Sequence, residues 1–551
     1  MKNIFFTIAM MLVVHVSFGQ DRWEQGELED VEIEIVKERQ ITLPKADRNF
    51  EKIPPKPSEP IKTQMKYDFR PFSFQTSQFT PQIRPLKLKQ EESSKATGGY
   101  VSVGYGNYAS PYLEGFINTK KDKNKLVGAH AFLKSSDKGP VDGVNSGGGM
   151  AGASVFGKSF ADHVSLEGEA EFENRSTHFY GYPEGTVVDG ATIKQAYNNF
   201  KLSGELSNTK NSDFGYNLGG VFSYLTDKFD AKETEVDLKF GARYKVDDES
   251  TIGVGADYVL LNRTDVNVDA KARSLFSVNP SYTFYPVPDL KLTAGIVAAF
   301  ENDSIDNKDV HAYPDLRASY PLSPSVDVVA SLTGGIEKVS LQSLSRENLW
   351  LAPNVSIFHT NKLYDLQAAL HTRIGSKVAL NGGFSFASLK NLYFYVNDFV
   401  DQSKFNVEYD REATIRTNLF ASIGYSQTES VKVLIRGDLF GYKAGEQAEV
   451  WHRPTYRVTG DLGFNIYKKM LFDVSLIAQG GMKAKDYTSG TEYTVVELDP
   501  AVDLNARLEY LVSQKFSVFV QGNNLTSNEY PMFLNYPVRG LQVLGGITWT
   551  F

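Results

Sequence analysis

Apolar and charged residues alternate one by one in many successive runs between about residue 98 and the C-terminal Phe551. The clearest run has Val164, Leu166, Gly168, Ala170 and Phe172 on one face and Glu167, Glu169, Glu171 and Glu173 on the other. Further runs of this kind span residues 236–246, 431–439 and 502–510. Because successive side chains of a strand point to opposite faces, this period of two predicts β-strands with one apolar and one charged face.

The length and number of these runs decide between a soluble sheet and a membrane barrel. At ~3.3 Å per residue, a tilted strand of about ten residues matches the hydrocarbon thickness of a bilayer. Lipid cannot satisfy the hydrogen bonds of an open sheet edge, so such strands must close on themselves. The sequence therefore predicts an all-β fold, a large antiparallel transmembrane β-barrel of about 22 strands within a range of roughly 16 to 24. Soluble β-sandwiches or a propeller are the alternative.

Composition agrees with a membrane barrel and excludes several other classes. Aromatic residues make up 13% of the chain, yet its mean hydropathy is −0.30, as expected when only alternate residues face lipid. The chain has no cysteine, which excludes disulfides and thiolate chemistry. The formal net charge of −8 argues against nucleic acid as a partner.

The N-terminal part of the chain differs from the rest. Lys2, the apolar run 4–14 and the small residues Ser17 and Gly19 predict a signal peptide over residues 1–19 and therefore export, with a buried N-terminal helix as the alternative. Residues 20–96 contain eight of the 22 prolines, which predicts an irregular periplasmic or lumenal segment. The barrel is then expected over residues 97–551.

A short strip within this segment alternates cleanly. Val31, Ile33 and Ile35 are separated by glutamates, so they could form an extended strand that adds to the sheet of a periplasmic partner. The alternative is a strap without any partner.

The C-terminal residues carry the most specific pattern. The last strand alternates and ends in Trp549 and Phe551, which resembles the signal read by the outer-membrane assembly machinery. The stretch 516–525, Tyr530 and the turn 537–540 resemble the closing hairpin of TonB-dependent receptor barrels. This resemblance implies a place in the outer-membrane lipid of a Gram-negative cell and a role in transport or uptake. It also implies a TonB-type energiser, or a lid lipoprotein, as a partner.

One difference from that family concerns the plug that its members fold inside the barrel. Residues 20–96 are too few and too rich in proline for a full plug, and a barrel of about 22 strands without one would leave a wide pore. We therefore expect this segment or a partner protein to cover the lumen. The alternative function is a structural membrane subunit of a secretion, motility or envelope-assembly complex.

Motifs that could carry chemistry are weak. Residues 152–159 match the P-loop pattern, but a P-loop needs a helix after it, and the run from Val164 predicts a strand. Asp303, Asp306 and Asp309 do not have calcium-loop spacing, which favours a solvated loop over a weak cation site. The histidines are isolated from one another. We therefore expect no catalytic residue, no metal, no cofactor and no enzyme.

Two predicted loops are rich in aromatic residues. One contains Phe179, Tyr180 and Tyr182, and the other contains Tyr393 and Tyr395. Exposed rings of this kind could stack on a sugar or contact a partner. The interpretation we favour from sequence is the aromatic girdle of a barrel at the membrane interface.

Overall fold

The structure is a computed structural model that describes residues 98–551, except for 120–123, 210–211, 267, 304–307, 428–429 and 490–491. The predicted signal peptide, the segment 20–96 and its strip of Val31, Ile33 and Ile35 lie outside the described residues and stay predictions.

Antiparallel strands, numbered β1–β29 along the chain, form a closed barrel. The main sheet has 23 strands, which leaves 22 in the wall when the two-residue β10 (Val268–Asp269) is set aside. The last wall strand pairs with the first, from Tyr100 opposite Thr550 to Gly106 opposite Leu544. The wall strands are β1 (Gly99–Gly106), β2 (Ser110–Asn118), β3 (Lys125–Ser136), β4 (Gly148–Phe160), β5 (Val164–His178), β6 (Lys194–Asn208), β7 (Phe214–Thr226), β8 (Lys232–Lys245), β9 (Thr251–Asp265), β11 (Arg273–Val287), β12 (Leu290–Glu301), β13 (Val310–Ser323), β14 (Val326–Glu337), β15 (Thr360–Ile374), β16 (Val378–Lys390), β19 (Thr414–Gln427), β20 (Val431–Lys443), β21 (Tyr456–Ile466), β22 (Met470–Gly480), β25 (Ala501–Leu511), β26 (Phe516–Asn523) and β29 (Gln542–Thr550).

The wall confirms the alternation seen in the sequence. The four predicted runs lie in β5, β8, β20 and β25. Their apolar faces point outward, so Leu166 and Phe172 keep 57% and 47% of their surface exposed, as lipid-facing residues of a barrel do. Trp549 lies on the same outer surface, and its ring centroid is 5.3 Å from that of Phe551. Residues 152–159 lie inside β4, paired with β3 and β5, and no helix follows them.

The two ends of the barrel differ. Because the number of wall strands is even, the start of β1 and the end of β29 lie at the same end of the barrel, where the connections are short, such as residues 288–289 and 324–325. The opposite end, called here the loop end, carries long connections. These contain the helices α1 (Gly190–Ile193) and α2 (Leu341–Glu347) and the hairpins β17 (Leu392–Asn397) with β18 (Phe405–Asp410), β23 (Lys483–Ser489) with β24 (Glu492–Glu497), and β27 (Pro531–Phe533) with β28 (Tyr536–Pro537). Within the described ranges, neither helix is long and apolar enough to cross a membrane.

Candidate functional site: the cap at the loop end

Five connections at the loop end share one hydrophobic core. They are residues 179–193, 227–231, 338–359, 391–413 and 524–541, and they are called here the cap. They follow wall strands spread around the barrel, so they must converge across its mouth to pack together. The shared loop core consists of Phe179, Tyr180, Tyr197, Leu225, Ala231, Val339, Leu341, Leu344, Trp350, Leu351, Val355, Ile357, Tyr395, Phe405, Val407, Phe533 and Tyr536.

Aromatic rings form the centre of the loop core. The ring centroids of Trp350 and Tyr536 are 4.1 Å apart, those of Tyr180 and Tyr536 are 4.7 Å apart, and those of Phe405 and Phe533 are 5.2 Å apart. Each such pair contributes about 0.5–1.5 kcal/mol beyond the burial of its surface. The polar atoms are also satisfied, since Trp350 Nε1 donates to the His178 carbonyl at 3.0 Å. The cap is therefore a packed structure held by residues from distant parts of the chain.

The aromatic loop residues singled out from sequence lie in or against this core. Phe179, Tyr180 and Tyr395 are buried within it, and Tyr182 and Tyr393 pack against its edge. The interpretation of these rings as an interfacial girdle is wrong, because the long connections fold over the mouth and bury the rings against one another. Contact of Tyr182 or Tyr393 with a ligand stays a prediction.

Carboxylates on the inner face of β8 hold the connection 338–359 against the wall. Glu233 accepts hydrogen bonds from the backbone N–H groups of Leu341 at 2.8 Å and Gln342 at 2.9 Å. Lys338 Nζ bonds to Glu235 and lies 2.9 Å from Asp237. All three carboxylates are buried, so the acidic face of β8 serves here as a docking surface for α2. A carboxylate also suits the positive N-terminal end of a helix.

A second anchor joins Arg273, Asp303 and His359. Arg273 Nε and Nη2 each lie 2.9 Å from a carboxylate oxygen of Asp303, and Nη2 donates to His359 Nδ1 at 2.8 Å. Burial alone would raise the pKa of Asp303, but the hydrogen bonds and charge of Arg273 outweigh it and lower that pKa. The expectation of a solvated acidic loop is wrong for Asp303, since its side chain is only 4% exposed. Asp306 lies outside the described residues.

His359 is neutral in this arrangement. Its Nδ1 accepts hydrogen bonds from both Arg273 and the backbone N–H of Val339, at 2.8 and 3.1 Å, so this atom carries no proton. Burial, followed by the charge of Arg273, lowers the pKa of His359 to about 3.

His452 connects three loop-end connections and is also neutral. Its Nδ1–H donates to the Tyr395 carbonyl at 2.8 Å, and its Nε2 accepts from the Leu534 N–H at 3.3 Å. Complete burial lowers the pKa of His452 to about 4. In the sequence the histidines are isolated from one another, and only the fold brings the partners of His359 and His452 to them.

The inner wall carries charges of both signs. Opposite charges pair two residues apart along single strands, with Arg317 2.9 Å from Asp315 and Arg436 2.7 Å from Asp438. Throughout the described ranges of the chain, no group of three or more histidine, aspartate or glutamate residues could hold a metal ion.

No protein-family model matches this sequence, and no curated protein matches it in sequence. Solved structures do match the fold. The siderophore receptor PirA from Acinetobacter baumannii has a TM-score of 0.64 at 8% identity, covering 83% of this chain and 81% of that chain. The ferric-catecholate import receptor Fiu from Escherichia coli K12 has a TM-score of 0.61 at 10% identity, covering 83% of this chain and 82% of that chain.

A mutant of the ferric enterobactin receptor PfeA from Pseudomonas aeruginosa gives a TM-score of 0.59 at 11% identity, covering 83% of this chain and 81% of that chain. At such low identities the similarity shows the fold alone. The chain has the closed 22-strand β-barrel of TonB-dependent siderophore receptors, as its C-terminal residues indicated.

Proposed function

We propose that this protein is an outer-membrane barrel for uptake and that the cap is a gate made by its own connections. The observation that carries this proposal is the shared loop core, in which five connections of the barrel chain itself pack together at the loop end. A wall of 22 strands encloses enough space for a solute path, and its inner face is polar. A closed mouth above a polar lumen is the arrangement that gated uptake requires.

The cap is built in a way that permits opening. The connection 338–359 is held to the wall by charged groups. Lys338 bonds to Glu235 and Asp237 of β8, and Arg273 of β11 bonds to His359. Hydrogen bonds to charged groups contribute about 1.5–3 kcal/mol each and depend strongly on geometry. When the connection lifts, these groups return to water, which solvates charges well. A few such contacts therefore give a closed state that binding energy can reverse.

The location and partners form part of the same proposal. The signal sequence over residues 1–19 and the terminal Trp549 and Phe551 support export and insertion by the outer-membrane assembly machinery. The exposed apolar face of the wall supports contact with outer-membrane lipid. A TonB-type energiser would act from the end of the barrel where β1 starts and β29 ends. The cap takes the place that a separate lid lipoprotein would otherwise fill.

Because the chain has no cysteine, introduced cysteine pairs are its only thiols and can be cross-linked selectively. Ser223 Oγ on β7 and Gln342 Oε1 on α2 lie 3.0 Å apart, so Ser223→Cys with Gln342→Cys places two thiols across the closed cap. A short bis-methanethiosulfonate cross-linker, which forms a disulfide with each thiol and releases methanesulfinate, should lock it reducibly. The matched control is Thr283→Cys with Thr293→Cys, whose hydroxyl groups lie 2.8 Å apart between wall strands β11 and β12.

The assay is growth of a deletion strain on limiting iron or single glycans, complemented by each variant. We expect the deletion strain to grow poorly in a nutrient-dependent way, and the wild type and the locked control pair to restore its growth. The locked cap pair should fail until the linker is reduced. Full growth with a locked cap would refute gating. A defect independent of nutrients, with recovery of the chain in one fixed large complex, would refute uptake and favour a structural subunit.

A further inference from the structure

A pocket of about 410 Å³ lies at the loop end where the last wall strand meets the first. The connection between β1 and β2, residues 107–109, is short, and Asn107 of this connection lines the pocket together with Arg539 of the connection 524–541. The lining includes three cationic side chains, Lys134, Arg507 and Arg539, and one acidic side chain, Glu114. The pocket therefore has an excess of positive charge.

The charges that line the pocket are unequally compensated. Arg507 Nη2 lies 3.1 Å from Glu509, and Glu114 accepts a hydrogen bond from the Tyr112 hydroxyl at 2.5 Å. Arg539 differs from both. Its Nη1 is buried without a hydrogen-bond partner, and the ionisable groups that act on it within the described chain are two tyrosines. A largely buried guanidinium without a carboxylate is unfavourable unless an anion binds to it.

The backbone around the pocket is fixed in place. Asn107 donates to the Leu541 carbonyl at 2.8 Å and accepts from the Val543 N–H at 2.9 Å, which ties the first turn to the last strand. Asn524 Nδ2 donates to the Arg539 carbonyl at 2.8 Å. These side-chain bonds hold the arginine turn without using its guanidinium, which stays available for another group.

We propose that this pocket binds a free oxyanion, a carboxylate or a phosphate, with Arg539 as the principal ligand and Lys134 as the second. A guanidinium presents a planar pair of N–H donors that matches both kinds of anion. Lys134 lies on the inner face of β3, opposite Tyr112 of β2, so the pocket faces the lumen and not the lipid. A small dissolved anion, and not a lipid headgroup, is therefore the occupant.

The inference uses the proposed function only in treating this anion as cargo. Binding is measured on the purified protein in detergent, with no transport step, so the two proposals can fail separately. The probe is radiolabelled inorganic phosphate in equilibrium dialysis of the full mature chain, with citrate as the competing carboxylate. The variants are Arg539→Gln, Lys134→Gln and Arg539→Lys. The control is Arg317→Gln, which removes an inner-wall arginine 63% exposed and outside the pocket.

We expect saturable phosphate binding that citrate displaces. Arg539→Gln should weaken it at least ten-fold, Lys134→Gln several-fold, and Arg317→Gln less than two-fold. Heat-modifiable migration in gels confirms a folded barrel for each variant. If Arg539→Gln does not fold, Arg539→Lys and Lys134→Gln test the proposal instead. Arg539→Lys should bind phosphate more weakly than the wild type. The proposal is overturned if the wild type binds neither anion, or if the folded pocket variants bind as well as the control.

Discussion

Acid should open the cap while the barrel wall stays closed. His359 lies in the cap, and His452 bonds to the cap residues Tyr395 and Leu534. Both histidines are buried and neutral, with pKa values of about 3 and about 4. Once the cap opens, both side chains reach water, and their pKa returns to about 6.5. The open state therefore binds more protons between these values. It follows that the full stability of the closed cap is present above pH 6.5 and is lost as pH falls towards 4.

The loss of cap stability follows from the difference between the pKa of each histidine in the open cap and the pH of the experiment. One pKa unit corresponds to about 1.4 kcal/mol, so at pH 4.5 each histidine disfavours closure by about 2.5 kcal/mol and the two together by about 5 kcal/mol. The groups around His359 are Arg273, Asp303 and Lys338, of which the two cations oppose its protonation further. His452 packs against the rings of Phe405 and Phe533, which offer no compensating charge. Asp303, with its lowered pKa, adds to the loss only below about pH 4.

Hydrogen–deuterium exchange measured by mass spectrometry reads this opening. The exchange of cap peptides is divided by that of wall peptides at the same pH, which removes the intrinsic pH dependence of exchange. We expect the ratio to rise steeply between pH 6.5 and 4.5. His359→Asn with His452→Asn keeps polar atoms near the same positions but does not titrate, so this variant should show a flat ratio. An unchanged ratio in the wild type, or the same rise in the double variant, would show the reasoning to be mistaken.

Three further changes test the contacts of the cap and the end of the chain. Lys338→Met leaves Glu235 and Asp237 buried without their cation, and cap opening should become easier by about 3 kcal/mol, read by the same exchange ratio. Trp350→Ala removes a central ring of the loop core and should weaken the closed cap by about 3–5 kcal/mol, with intermittent channel openings in planar bilayers. Phe551→Ala should lower the amount of heat-modifiable barrel in the outer membrane while leaving total synthesis unchanged, as quantified by immunoblotting.

The barrel wall could be predicted from sequence because its signal is local. Each strand is one run with a period of two, and the charged face of β8 is visible without any knowledge of its neighbours. The number of strands followed from counting such runs. Closure followed from the physical cost of an open edge in lipid. All of these arguments use residues within about a dozen positions of one another.

The cap could not be predicted in this way. Its loop core joins connections whose sequences share no common periodicity. The rings of Tyr180 and Tyr536 are in contact although they are far apart in the sequence. Lys338 pairs with a carboxylate 103 residues away. The one available signal was the series of acidic residues Glu233, Glu235 and Asp237 on one face of a strand, which needed a cation from elsewhere. The sequence shows that these carboxylates require partners but does not show which residues supply them.

Conductance in planar bilayers is the most direct test of a barrel closed by its own connections. The full mature chain at neutral pH should show no large steady conductance. Replacing residues 338–359, which supply seven of the 17 residues of the loop core, with a short Gly-Ser linker should produce a large, stable pore. A wild-type protein that is permanently open, or a folded loop-replacement variant that stays closed, would contradict this account.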